Sequence, residues 1–201
     1  MSYAYRIEVK ESRLVEVTGK DSFTTRVEVV DVLPPAEMRD ILENKLAEGG
    51  FSKDGETMVK AEGDVEVRIH TGTRDVTVSS SRQATRQVDV KLHRSLEAHS
   101  PSEITGANQR RDAIRKDLET EAREKLDHQA KVAGELMENQ LRETATRALK
   151  EALPKVREEL GRIGHATQAQ ALETKARRMG RVERVEHDPQ NQSMTIVVKL
   201  D

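Results

Sequence analysis

The sequence predicts an α+β fold: an antiparallel, β-rich front with one helix, a long helical middle, and a closing helix with a β-hairpin that returns to the sheet. Three observations carry this. Apolar residues alternate with polar ones through residues 3–33 and again through 65–92, the period of half-buried strands. Residues 102–164 are rich in Ala, Glu, Arg, Lys and Leu, which favours helix. The chain closes on a second alternating run, Met194, Ile196, Val198 and Leu200. The corresponding organisation is a β-rich domain over residues 1–100, a helical segment over 101–165, and a helix with a terminal hairpin over 166–201.

Taken in order, Tyr3, Tyr5, Ile7 and Val9 share one face of a first strand. Val15 and Val17 lead to a turn at Gly19 to Asp21, and Val27, Val29 and Leu33 continue as a third strand. Pro34-Pro35 ends that strand and opens a helix, because proline is tolerated in a first helical turn. Met38, Ile41, Leu42 and Leu46 form its apolar stripe, Gly49-Gly50 caps it, and Phe51 tucks back onto it. Val65, Val67 and Ile69, a turn at Thr71-Gly72-Thr73, then Val76 and Val78 read as a hairpin. A polar stretch from Ser79 to Gln87 separates these from a strand with Val88, Val90 and Leu92. Six or seven strands are therefore expected before residue 93.

Pro101 marks the boundary, and Ser102 with Glu103 and Ile104 resembles a helix start. Ile114, Leu118, Ala122, Leu126 and Ala130 recur every four residues, as do Met137, Leu141, Ala145 and Leu149. Steps of four overshoot the 3.6-residue turn, so the stripe slides and a regular heptad seam is not expected. A helical hairpin or a long broken helix of coiled-coil composition follows, with breaks at Gly134 and Pro154. The preferred break is Ala152 to Pro154, since proline inside a helix costs about 3 kcal/mol. Gln168 to Met179 reads as a further helix ended by Gly180. Val182 and Val185, the turn His187 to Asn191, and the closing apolar run then make the hairpin. A lone hairpin is marginal in water, so its apolar side chains are expected to bury against the front sheet.

Composition narrows function. Charged and hydrophobic residues each make up 35% of the chain, aromatics 2%, and the net charge is −2. Balanced charge argues against binding nucleic acid by bulk attraction. The absence of cysteine excludes disulfides, thiolate metal sites and cysteine nucleophiles. No apolar run reaches the roughly 18 residues of a membrane span and no hydrophobic signal core opens the chain, so the expected localisation is cytoplasmic.

No HExxH occurs, and no two of His70, His93, His99, His128, His165 and His187 sit three or four apart. Glu124 and His128 do share a helical face, a spacing that suits a surface ion pair better than a metal. Gly19-Lys20 lacks the upstream glycine and following hydroxyl of a phosphate loop, with Leu14 and Asp21 in those places. Ser79, Ser80 and Ser81 have no glycine elbow. Glu62 and Asp64, spaced by two before Val65, are the residual carboxylate pair. Arg110, Arg111, Arg115 and Lys116 form a basic patch interleaved by Asp112 and Asp117, and no aromatic follows Phe51 to stack bases. The expectation is no enzyme, no catalytic, cofactor or metal residues, and no cofactor.

Two stretches carry a resemblance. Residues 163–200 resemble the closing segment of a plastid and cyanobacterial open-reading-frame family of unknown function, with Gln168, Leu172, Glu173, Ala176 and Gly180 at matching positions and Ile196 to Val198 as its last strand. The front, from EVVDVLPPAEMRDIL to VEVRIHTGTRDVTV, resembles accessory domains of bacterial FtsH-type ternary systems. The resemblance implies a non-catalytic accessory or adaptor subunit working with an FtsH-like AAA+ ATPase and other small partners, in a bacterial conflict or stress system. The alternatives are a self-associating helical interaction protein, hence a homo-oligomer, and a weak binder of nucleic-acid backbone.

Overall fold

The structure, a computed structural model, describes residues 3–98, 101–188 and 193–199, with side chains for 6–95, 109–186 and 194–199. The side chains of Tyr3, Tyr5 and Ser102, together with His99, the turn at 189–191 and Leu200, fall outside the described residues. The elements in order are β1 (Tyr3–Arg26), α1 (Pro35–Glu48), β2 (Ser52–Asp54), β3 (Thr57–Glu62), β4 (Val65–His70), β5 (Asp75–Ala98), α2 (Pro101–Met179), β6 (Arg181–Asp188) and β7 (Ser193–Lys199). The class is α+β. Five strands form an antiparallel sheet in the order β1-β5-β4-β3-β2, and β6 and β7 form a separate antiparallel pair.

Among the described residues, five strands, rather than six or seven, precede Pro101. Gly19 to Asp21 is not a turn but the interior of β1, and the polar stretch Ser79 to Gln87 lies inside β5. Residues 27–34 are not a third strand. Their backbone groups turn to side partners instead: the Val27 N–H donates to the Arg74 carbonyl at 3.0 Å, and the Arg74 guanidinium donates to the Val29 carbonyl at 2.9 Å. The short hairpin of β2 and β3, with its turn at Gly55, is an element the pattern did not disclose.

The chain divides into two compact units, each assembled from separate stretches. The first contains β1 up to Gly19, β5 from Arg82, and α2 as far as Glu143. Ile7 and Val9 of β1, Val88 and Val90 of β5, and Leu118, Ala122 and Leu126 of α2 form its core. Strand alternation supplies one half of that core and the four-residue stripe the other. Glycine allows close approach here: a Cβ built on Gly134 would lie 3.4 Å from Val15, and one on Gly19 only 2.4 Å from the Leu141 Cβ. Ion pairs flank the seam, among them Arg13–Asp127 at 2.6 Å, Arg94–Glu121 at 3.0 Å and, between the strands, Lys91–Glu8 at 3.0 Å.

The second unit holds Lys20–Ser81 and everything from Thr144 onward. Its core gathers Leu42 and Leu46 of α1, Phe51, Met58, Val67, Ile69, Val76, Val78, and Leu149, Leu160 and Ile163 of α2. Cross-strand register places Ile69 opposite Met58 on one side and Val76 on the other, so three strands stack one apolar row. A second cluster packs Leu33, Met38 and Ile41 against Ala171. Gly50, at φ +85°, ends α1: Phe51 N–H reaches the Leu46 carbonyl and Gly50 N–H that of Ala47, both at 3.0 Å, which folds Phe51 onto the helix.

α2 is one helix, unbroken at Gly134 and at Pro154. Its buried stripe advances by fours but resets with three-residue steps, Gly134 to Met137 and Leu160 to Ile163, and so stays on its strands. Pro154 is exposed, as are Lys150, whose carbonyl it leaves unbonded, and Glu158. The opposite side, with Ala152 and Val156 against the core, holds the helix across the missing bond.

The terminal hairpin forms, but it does not join the ladder of the five-stranded sheet. Val182, Val185, Met194, Ile196 and Val198 are half-buried and belong to no core cluster among the described residues.

Candidate functional site

The sequence candidates scatter. Glu62 is the last residue of β3, and Gly63-Asp64 is the two-residue turn before β4, with Gly63 at φ +61°. Both are exposed, Glu62 at the end of one strand and Asp64 in the turn, so they are not a pair on one face of a strand. Glu124 and His128 are exposed on α2. Gly19 serves the approach of α2 to β1, and Lys20 beside it is exposed. Arg110, Arg111 and Lys116 lie on an exposed helical face where Arg115 pairs with Glu119 at 3.3 Å. Among the described residues, no three His, Asp or Glu side chains converge as a metal ligand set would.

A dense polar cluster surrounds the turn between β4 and β5. Arg74 sits in the left-handed region at φ +63°, a conformation that costs a non-glycine residue about 1 kcal/mol or more. The turn is over-determined by its neighbours. The Arg74 guanidinium binds Asp31 and the Val29 carbonyl, and Arg26 Nε donates to the Thr73 carbonyl at 3.1 Å. Thr73 N–H donates to His70 Nδ1 at 3.2 Å, while His70 Nε2 lies 3.5 Å from Glu56. Thr71, buried, donates its hydroxyl to Glu43 at 2.9 Å, and Lys53 pairs with the other Glu43 oxygen. The Lys53 and Thr71 hydrogen bonds hold the Glu43 carboxyl below its ordinary value, against the opposing effect of burial.

These groups direct their bonding to one another and to backbone carbonyls. The arrangement fixes residues 27–34 to the turn; it does not expose an unpartnered nucleophile or base. Neither β4 nor its hairpin signal discloses Arg74's role, because a left-handed arginine has no sequence signature of the kind glycine or asparagine provides.

Two further features mark the second unit. Lys60 bonds Glu159 of α2 at 2.6 Å and the Gly49 carbonyl at 3.0 Å, with its ammonium 5.4 Å from the Phe51 ring centre. One half-buried cation thus ties β3, the end of α1 and α2 together. At the far end of α2, Arg178 clasps Glu37 of α1 at 2.5 Å, which holds its guanidinium even more firmly charged than usual. Beside it, Glu173 and Arg177 with Arg181 to Val185 of β6 line an open, charged groove of about 530 Å³.

No helix among the described residues is long and apolar enough to cross a membrane. No curated protein and no solved structure matches the chain. A family model does, that of FtsH ternary system domain X5, over residues 1–200. The chain belongs to that family, and the resemblance carried by its front extends over its whole length.

Proposed function

We propose that this member of the FtsH ternary system domain X5 family is a non-catalytic accessory subunit, an adaptor that acts with an FtsH-like AAA+ ATPase. The family's name, FtsH ternary system domain X5, supports a role in a multi-component system with such an ATPase. The observation that carries the adaptor reading is the surface itself. It carries ion pairs that tie separate elements together, Arg13–Asp127, Lys60–Glu159 and Arg178–Glu37 among them. Such pairs order a scaffold more than they drive a reaction. Further small accessory proteins, a cytoplasmic setting and a role in bacterial conflict or stress belong to the same reading.

The test is reconstitution. The purified chain is titrated into the FtsH-like ATPase of its own system, with complex formation and ATP turnover followed together. The reading expects a stable complex, altered turnover by the ATPase, and no hydrolysis of nucleotide, ester or phosphodiester by the chain alone. A chain that neither binds the ATPase nor changes its turnover overturns the adaptor role. Turnover by the chain alone, lost in a Glu62→Gln/Asp64→Asn variant, overturns the non-catalytic one.

A further inference from the structure

β6 pairs with β7 along one edge only; among the described residues its outer edge has no ladder partner. A two-stranded hairpin is marginal, and an open edge is a template for another strand. The sequence along this edge is Arg181-Val182-Glu183-Arg184-Val185-Glu186. Set antiparallel to a second copy of itself, it places Arg181 opposite Glu186, Val182 opposite Val185, and Glu183 opposite Arg184. Each charge meets its opposite and each valine meets a valine, the pairings that favour adjacent strands. Slipping the register by one residue destroys this, since it sets Glu183 against Glu183, or Arg184 against Arg184, and valines against charges.

The backbone supplies an independent observation. A two-fold axis normal to the sheet requires opposed residues to point to the same face. In a regular strand Val182 and Val185, three apart, point to opposite faces, so this register would be forbidden. β6 carries an irregularity between Val182 and Arg184, where Glu183 is extra. Val182 stands opposite Val198 and Val185 opposite Ile196, which puts both valines on one face. Arg181 and Glu186 stand opposite Lys199 and Thr195 on the other. The bulge is thus what makes the charge-matched register compatible with two-fold symmetry.

We propose that the outer edge of β6 is a homodimer interface, in which two copies of Arg181–Glu186 pair antiparallel about a two-fold axis between Glu183 and Arg184. The pairing converts two hairpins into one four-stranded sheet in the order β7-β6-β6-β7. It joins the half-buried valines of both copies, with Ile196 and Val198, into one apolar face, and the contact closes on itself at two copies. The interface stands apart from the ATPase reading, and either can fail without the other.

Charge exchange tests it. Light scattering and sedimentation of the full chain over a wide concentration series are expected to show a dimer. The acidic-strand variant Arg181→Glu/Arg184→Glu and the basic-strand variant Glu183→Arg/Glu186→Arg are each expected to dissociate at least about tenfold more readily than wild type. Mixed in equal amounts, the two are expected to recover a dimer containing one copy of each. Should a doubly reversed strand not fold, Glu183→Arg and Arg184→Glu, alone and mixed, carry the same comparison. A strict monomer at every concentration, variants that dimerise as wild type does, or folded variants that fail to recover a dimer on mixing each overturn the proposal.

Discussion

Replacing Gly19 by alanine adds one methyl group where the strand and the long helix approach closely. The new Cβ would stand 2.4 Å from the Leu141 Cβ and 2.5 Å from the Arg142 nitrogen. Carbon atoms prefer about 3.5–4.0 Å, so β1 and α2 must separate by about 1 Å or more at this point. The blocking atoms are main chain and Cβ, which no rotamer change removes. Such overpacking costs about 1–3 kcal/mol, and alanine's better fit to an extended chain returns only about 0.5–1 kcal/mol of it. A net loss of about 1–2 kcal/mol is expected. With a slope of about 1–3 kcal/mol/M it lowers the urea midpoint by several tenths of a molar unit or more. Gly161→Ala is the internal control, because Gly161 lies in the same helix, is exposed, and has nothing within 4 Å of an added Cβ. There the methyl should stabilise by about 1 kcal/mol through helix propensity. Equal or higher stability of Gly19→Ala, beside a stabilised Gly161→Ala, would refute the close approach of β1 and α2 at this glycine.

Pro154→Ala restores a hydrogen bond to an exposed helical turn and is expected to raise stability by about 1–3 kcal/mol, read as a higher melting temperature; an unchanged value would show that the helix does not run through residue 154. Ser80, buried opposite Val65, has a hydroxyl with no hydrogen-bond partner among the described residues. Ser80→Ala should therefore stabilise by about 1 kcal/mol, and destabilisation of that size would reveal a bond to the hydroxyl. Glu43 titrates below its ordinary 4.5 because Lys53 and Thr71 bond its charged form. Its contribution is present above that value and lost as the pH falls through the lower folded one. Glu43→Gln should accordingly be less stable than wild type at neutral pH, with the gap closing in acid. Denaturant midpoints across an acid series check this, and a pH-independent gap would contradict it.

What the sequence disclosed was local, and what it hid depended on partners. Pro34-Pro35, the stripe from Met38 to Leu46 and the pair Gly49-Gly50 determine α1 from neighbouring residues alone, and the Val65 to Val78 hairpin is likewise written in alternation and a turn. Gly19 to Asp21 and Ser79 to Gln87 carry turn-like composition, yet β1 and β5 continue through them because each supplies the other's ladder. A signal for this was present. Ile7, Val9, Val15, Val17, Phe23 and Val27 keep one parity across the glycine, as do Val76, Val78, Val88 and Val90 across the serines. A true turn is free to change that parity; an uninterrupted strand is not. In α2 the alternation of four- and three-residue steps plays the same part, since a chain broken at Pro154 has no reason to resume its stripe in phase. The β4–β5 turn cluster was legible only as a turn, because the partners of Arg74, Asp31 and Val29, are brought to it by the fold. β6 is the opposite case. Its charge pattern is fully visible in six letters, but Val182 and Val185 sit three apart, a spacing that looks wrong for one face of a strand. Only the bulge at Glu183, a backbone feature without a residue signature, turns that spacing into a single apolar face and gives the pattern a meaning.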